Sequence, residues 1–323
     1  MNTEILPVDK WNPDERVLDY AAGILKEGGL VAFPTETVYG LGANALDAGA
    51  VLKIFDAKGR PADNPLIVHV SSREQARDVA IVEDRAEALM ERFWPGPLTL
   101  VLPAKAGVPK EVTAGLETLA VRMPDHPVAL GLIERAGLPL AAPSANKSGR
   151  PSPTTAQTVY DDLAGKIPLI LDAGPTEVGM ESTVCAIEKE SLRIYRPGGC
   201  PPEELGKFAE KIVFDTEGDL SKTSPGLRYR HYAPQVPLVL YDPEDRKPSF
   251  LEKGRIGYIG MNVPPFSALR VIRFDSPAHF GRGFFAALRE MEKEVDLIVV
   301  ELPPAEGIGY ALRDRIKRAA GGY

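Results

Sequence analysis

The chain has 323 residues, 44% of them hydrophobic and 26% charged, which is material for two ordinary domains and excludes a disordered chain. A formal net charge of −7 argues against binding nucleic acid over the whole surface, though not against a local basic cleft. The two cysteines, Cys185 and Cys200, are too few for a disulfide framework and lack metal-ligand spacing, so a reducing, cytoplasmic setting is expected.

The opening MNTEILPVDKWNPDER lacks the apolar stretch of a signal peptide. No run approaches the roughly 18 apolar residues of a membrane helix, so no membrane contact is expected. VLDYAAGILKEG has helical apolar spacing and closes on Gly28-Gly29; LVAF then reads as a buried strand. AGAVLKIFDAKG is a second helix and PLIVHV a second strand. SREQARDVA and EDRAEALMERFW predict surface helices, followed by PLTLVLP as a strand. TLAVRMP, LPLAAPS, IPLILDAG and STVCAIE supply further strands, with LRIYRPG expected to pair beside the last. Several connections are too short for a helical crossover, which predicts mixed pairing in a twisted sheet.

From about Lys222 the character changes. SKTSPGLRYRHYAPQVP has three prolines and no periodicity, as a linker would, yet it carries Arg228, Tyr229, Arg230, His231 and Tyr232 where a flexible spacer favours Gly and Ser. After it, VPLVLY, GRIGYIG, ALRVIRF, FFAALREMEKE, VDLIVVELP and YALRDRIKRAA alternate as in a small doubly wound domain.

Four clusters place polar groups next to predicted strands, and open α/β sheets put ligands at strand ends. FPTETVYGLG sets Thr35, Glu36 and Thr37 after an apolar run; a capped turn with Gly40 and Gly42 at positive φ explains it equally well. KGRPADNPLIVHV carries Lys58 and Arg60 two apart, so that in an extended loop both heads point one way. Such a pair invites phosphate or carboxylate, although a solvated loop is the commoner outcome. Asn64 adds an amide, and His69 lies inside the strand, where a core histidine is the plainer reading. AAPSANKSGRPSPT gathers Ser144, Asn146, Ser148 and Ser152 as an anion nest or a solvent loop would. In GPTEVGMESTVCAIE and IYRPGG, Ser182 and Thr183 enter one strand and Arg196 leaves another.

The chain has no G-x-S-x-G elbow, no H-E-x-x-H, no Cys-x-x-Cys, no Walker or Rossmann glycine fingerprint, and only four scattered histidines, His69, His126, His231 and His279. What remains is cations, hydroxyls and amides, an inventory for alignment and charge stabilisation rather than covalent catalysis.

In order, FPTETVYGLG, KGRPADNPLIVHV, FWPGPLTLVLP, VRMPDHPVA, PSANKSGRPSPT, GMESTV and RPGG resemble the YrdC-like domain of the threonylcarbamoyl-AMP synthase family. SPGLRYRHYAP and GIGYALRDRIKRAA resemble the linker and extra domain of its long form. The resemblance implies an α/β fold, a YrdC-like twisted mixed sheet with a concave active-site face plus a smaller Rossmann-like domain. It divides the chain into a catalytic domain (1–215), a linker or lid (216–235) and a C-terminal domain (236–323). It implies condensation of L-threonine, bicarbonate or CO₂ and ATP, with Mg²⁺, into threonylcarbamoyl-AMP and pyrophosphate for tRNA threonylcarbamoyladenosine. Carried over by motif, Thr35, His69, Arg122 and Ser182 hold threonine. Lys58, Arg60, Asn64, Thr118, Ser144, Asn146, Ser152, Arg196, Arg230, His231 and Tyr232 line the ATP side, with Lys58 and Arg60 also the catalytic pair. The chain departs from the family at Cys185 and Ala186, where an aspartate often follows STV, and at Leu227, usually methionine. A tRNA threonylcarbamoyl-transferase as partner, with weak RNA binding, is a further expectation. Two other readings stand beside the synthase. One is a non-catalytic RNA-binding module; the other is a related carbamoyltransferase, for which the added acylphosphatase and Cys-rich segments are missing.

Overall fold

The computed structural model describes residues 2–215, 231–243 and 254–321. In chain order the first part comprises β1 (Glu4–Pro7), α1 (Glu15–Lys26), β2 (Val31–Phe33), β3 (Gly40–Asn44), α2 (Ala48–Lys58), β4 (Ile67–His69), α3 (Arg73–Val79) and α4 (Asp84–Phe93). It continues through β5 (Leu98–Pro103), α5 (Lys110–Thr113), β6 (Thr118–Arg122), α6 (Pro127–Ala136), β7 (Leu140–Ala141), α7 (Ala156–Leu163) and β8 (Leu169–Asp172). It closes with β9 (Thr183–Ile187), β10 (Ser191–Arg196), α8 (Pro202–Leu205) and β11 (Lys211–Phe214). The second part holds β12 (Leu238–Tyr241), β13 (Ile256–Gly260), β14 (Arg270–Arg273), α9 (Pro277–Met291), β15 (Leu297–Glu301) and α10 (Gly309–Ala320).

Strands β1 to β11 form one mixed sheet in the order β1-β8-β2-β3-β7-β4-β6-β5-β9-β10-β11. Strand β10 pairs antiparallel with β9, as the short link between STVCAIE and LRIYRPG requires. The second sheet, β12-β15-β13-β14, is parallel throughout, the Rossmann-like arrangement expected from alternating strand and helix.

The glycines of FPTETVYGLG correct one expectation. Gly40 and Gly42 take no positive φ; they lie in β3, which pairs antiparallel with β2. A Cβ on Gly42 would meet the Phe33 ring at 2.8 Å, so glycine stands there because the ring comes close. Helix α6 has no counterpart among the predicted elements, although its buried Val128, Ala129, Leu132, Ile133 and Ala136 repeat at helical spacing, between Pro127 in its first turn and left-handed Gly137 at its end.

Alternation along the strands decides where a site can form. At the β1–β8–β2 end, Val31, Phe33, Leu169 and Leu171 pack under α1 and α6, and Ala32 and Ile170 belong to the core on the opposite face, so both faces are covered. In the middle, Val68, Val121, Leu100 and Cys185 enter that same core. Their neighbours Ile67, Ala120 and Val184 form a small separate apolar patch on the other face. In the second part, Leu238, Ile259, Ile298 and Val300 pack with α9 and α10, whereas Tyr241, Tyr258 and Val299 face away. The α9–α10 cluster also takes in Val38, Met180 and Tyr232, which joins the two sheets through one apolar core.

Candidate active site

The open face of the large sheet carries a cavity that opens to solvent, with about 740 Å³ of empty space when its open mouth is included. Among the expected site residues, Thr35, Lys58, Arg60, His69, Arg122, Ser144, Asn146, Ser152, Ser182, Arg196, His231 and Tyr232 line it. Asn64 is buried just behind Arg60, whose Nη2 donates to the Asn64 and Pro65 carbonyls at 3.3 and 3.1 Å. Thr118 does not line the cavity: it opens β6 opposite Pro103, and Arg122 closes the same strand at its far end. Arg230 and Leu227 lie outside the described residues.

The register explains the convergence. Strands β4 and β6 are parallel with His69 beside Arg122, and both side chains project to the open face along with Ile67 and Ala120. His69 is the last residue of β4 and Arg122 the last of β6, so the site gathers at the carboxyl ends of these two parallel strands, and His69, expected inside its strand, forms part of the wall there. The link from Lys58 to Arg60 departs from the extended loop expected for the pair. Lys58 ends α2, as the helix prediction has it, and left-handed Gly59 turns the chain so that Arg60 follows it into the cavity.

On one side, the Thr35 hydroxyl closes the β2–β3 turn, donating to the Val38 carbonyl at 2.6 Å and accepting from the Thr37 and Val38 N–H groups at 3.2 Å. Arg122 is held by three partners: Glu36 at 2.6 Å, the Thr37 hydroxyl at 2.9 Å and the Gly96 carbonyl at 3.2 Å. Ser182 Oγ lies 2.7 Å from the Thr99 hydroxyl, and its carbonyl accepts from Arg196 Nη2 at 2.9 Å. Burial, with the Arg122 guanidinium beside it, takes the His69 pKa down to about 3, so its ring is neutral at pH 7.

On the other side, Lys58 Nζ donates to the carbonyls of Ser144 and Asn146. Ser144 Oγ donates to Asn146 Oδ1 at 2.5 Å, and Asn146 Nδ2 fixes the loop through the Lys147 and Arg150 carbonyls, each at 2.9 Å. Burial, then the nearby Arg60, holds the Lys58 pKa well below its ordinary value, and burial takes Arg60 down to about 10. Arg196 is likewise lowered by burial. Burial and the Arg60 charge lower His231 to about 3.

Glu181 is a site residue the sequence expectations omit, although it stands inside GMESTV directly before Ser182. It is 6% exposed, lines the cavity, and accepts from Ser152 Oγ at 2.5 Å and from Arg315 Nε at 2.8 Å. Burial by itself would raise its pKa; the Arg315 and Arg196 guanidiniums and the Ser152 hydroxyl outweigh burial and bring it to about 2. Its partner Arg315 comes from α10, too distant in sequence to signal the pairing.

Lys58, Arg60, Arg122 and Arg196 thus face a cavity in which Glu181, the one carboxylate among the described lining residues, is already committed. Among the described residues, no cavity hydroxyl is hydrogen-bonded to a histidine, and no group of three or more His, Cys, Asp or Glu is placed to hold a metal ion. No described helix is long and apolar enough to cross a membrane. A cation-rich, desolvated cavity on a mixed α/β sheet, without an activated nucleophile, defines an enzyme that aligns an anionic substrate with a small polar one.

Residues 23–198 match the family model described as "Telomere recombination", and residues 188–321 match "Threonylcarbamoyl-AMP synthase, C-terminal domain". The chain is 46% identical to the threonylcarbamoyl-AMP synthase of Pyrococcus abyssi over 96% of this chain and 97% of that protein. It is 44% identical to the Bacillus subtilis protein of the same name, over 97% and 96%. The crystal structure of P. abyssi Sua5 complexed with L-threonine superimposes with a TM-score of 0.92 at 45% identity, covering 98% of each chain. The chain belongs to the threonylcarbamoyl-AMP synthase family, in the form that carries the C-terminal domain.

Proposed function

We propose that the chain condenses L-threonine, bicarbonate or CO₂ and ATP into threonylcarbamoyl-AMP and pyrophosphate, an intermediate for threonylcarbamoyladenosine in tRNA. The observation that carries this reading is the shared cavity. Lys58, Arg60 and Arg196 make a polyanion-binding side, continuous with a compact pocket of Thr35, His69, Arg122 and Ser182. Arg122 presents a planar fork to a threonine carboxylate, and the Thr35 and Ser182 hydroxyls offer partners for the threonine side chain. Neutral His69 supplies one donor and one acceptor without adding charge.

The threonine amine forms an N–C bond to carbon dioxide and loses a proton, giving a carbamate. A carbamate oxygen attacks the α-phosphorus of ATP, the α–β bridging P–O bond breaks, and pyrophosphate leaves with the electron pair. Holding the reactants in line inside a dry cavity supplies much of the acceleration, and Lys58 and Arg60 offset charge growing on the phosphates. Mg²⁺ suits the site as a passenger on the nucleotide: Glu181, the one carboxylate among the described lining residues, is tied to Arg315 and Ser152, so the nucleotide phosphates would hold the ion.

The proposed boundaries 1–215, 216–235 and 236–323 fall between the two sheets. His231 and Tyr232, which line the cavity, act in this reading as part of a lid over the nucleotide, with Arg230 beside them in sequence. A separate tRNA-modifying transferase would consume the product in the cytoplasm. The test is pyrophosphate release from ATP and bicarbonate with L-threonine against L-serine, in the wild type and in Lys58→Ala/Arg60→Ala. Threonine-dependent release, reduced about a hundredfold or more in the variant, is expected. No release with any amino acid overturns the synthase reading and moves the argument to a binding module, tested by RNA affinity against salt.

A further inference from the structure

Arg315 is among the largest fully buried side chains described, with 0% exposure, and it belongs to the C-terminal α10. Its guanidinium nonetheless meets three walls of the cavity. Nε donates to Glu181 Oε2 at 2.8 Å, and the other Glu181 oxygen accepts from Ser152. Nη1 donates at 2.9 Å to the carbonyl of Pro197, the residue after Arg196, and at 2.6 Å to Asp314. The guanidinium carbon lies 5.5 Å from the ring centroid of Tyr232, which also stacks on the Phe285 ring at 5.2 Å and 27°.

Tyr232 has φ +62°, a left-handed backbone that a non-glycine residue adopts only under strain. Packing must hold it there, and Arg315 and Phe285 supply that packing from the second domain. The backbone of Glu181 and Ser182 is packed closely on this side: a Cβ on Gly198 would lie 2.2 Å from the Ser182 carbonyl carbon and 2.4 Å from the Glu181 carbonyl oxygen. Freeing the Pro197 carbonyl therefore acts first on Arg196, its neighbour in the chain, while the packing on Gly198 holds the Ser182 backbone in place.

We propose that Arg315 is a positioning residue for the nucleotide side of the site, fixing Glu181 with Ser152, the Pro197 carbonyl beside Arg196, and the Tyr232 ring from one guanidinium. The C-terminal domain is thereby a working part of the catalytic site, although Arg315 is not among the residues that line the cavity. None of the four threonine-pocket residues, Thr35, His69, Arg122 and Ser182, is among the described hydrogen-bond partners of Arg315, so the threonine pocket is spared. This inference rests on the ATP-and-threonine reading given above.

The test titrates full-length wild type, Arg315→Lys, Arg315→Met and Arg315→Met/Glu181→Gln with α,β-methylene-ATP and, separately, with L-threonine by calorimetry. The double variant removes both buried charges and guards against a single variant that fails to fold. The expected result is a loss of about tenfold or more in analogue affinity for Arg315→Met and for the double variant, with threonine affinity within about twofold of wild type. Arg315→Lys keeps the charge but loses the planar fork, and should fall on the weakened side as well. Unchanged analogue affinity in a folded variant, or equal losses for both ligands, overturns the positioning role and leaves the synthase reading intact. A wild type that binds no analogue removes the nucleotide reading and this inference together.

Discussion

Removing the charge of Glu36 should weaken the fold and make it lean on threonine. The Glu36 and Arg122 side chains are 6% and 4% exposed and lie 2.6 Å apart, so the modest value of a surface ion pair does not apply. Breaking a buried pair from one side costs about 3–5 kcal/mol, because the remaining charge stays desolvated. Glu36→Gln keeps a polar partner, and Arg122 keeps the Thr37 hydroxyl and the Gly96 carbonyl, which places the loss near about 3 kcal/mol. At roughly 2–4 °C per kcal/mol for a domain of this size, the melting temperature should drop by about 6–12 °C. If the threonine carboxylate binds Arg122, it restores the missing negative charge, so saturating L-threonine should raise the melting temperature of the variant more than that of the wild type. Thermal melting by circular dichroism, with and without threonine, reads both effects. A variant that melts like the wild type would refute the assigned cost, and an equal threonine shift in both proteins would refute Arg122 as the carboxylate partner.

Acid should destabilise the fold through its buried histidines. His69 and His231 have folded pKa values of about 3, below the unfolded value near 6.5, so the unfolded chain binds more protons between those limits. Their contribution is complete above about pH 6.5 and is lost as pH falls toward 3; histidine NMR should show both rings still neutral at pH 5. Glu181, held at about 2 against an unfolded value of about 4.3, adds stability that is lost as pH falls from about 5 toward 2, so Glu181→Gln should flatten the slope of stability with pH below about 5 and leave it unchanged between about 5.5 and 6.5. Gly198→Ala should lose pyrophosphate release or fail to fold, because its Cβ would stand 2.2–2.4 Å from backbone atoms of Glu181, Ser182 and Thr183; an active, stable variant would show that the Pro197–Gly199 turn can move away.

Much of the fold was legible because periodicity and punctuation agreed. Helix α2 ran to Lys58 before Gly59, and the mixed sheet followed from links too short to cross over. Strand β3 was not legible, since two glycines in five residues look like a turn until Phe33 is seen to need the space. The site residues were legible as local clusters; their union was not, because it depends on the His69–Arg122 register and on contacts made across the chain. Glu181 and Arg315 mark the limit. Each sits in a quoted motif, but a carboxylate and an arginine 134 positions apart reveal themselves as a pair only when α10 is packed.

The apolar core shared by the two sheets has a consequence for chemistry as well as cohesion. Val38 stands between Thr37 and Tyr39, and Met180 stands beside Glu181, yet both are shielded within the α9–α10 cluster that includes Phe284 and Phe285. The dryness of the cavity wall is therefore set from the far domain. Loosening that packing would admit water, raise the local dielectric and weaken the pull of every cation on a bound phosphate. A conservative change such as Phe285→Leu, distant from the reacting atoms, would then appear in kinetics as an electrostatic defect.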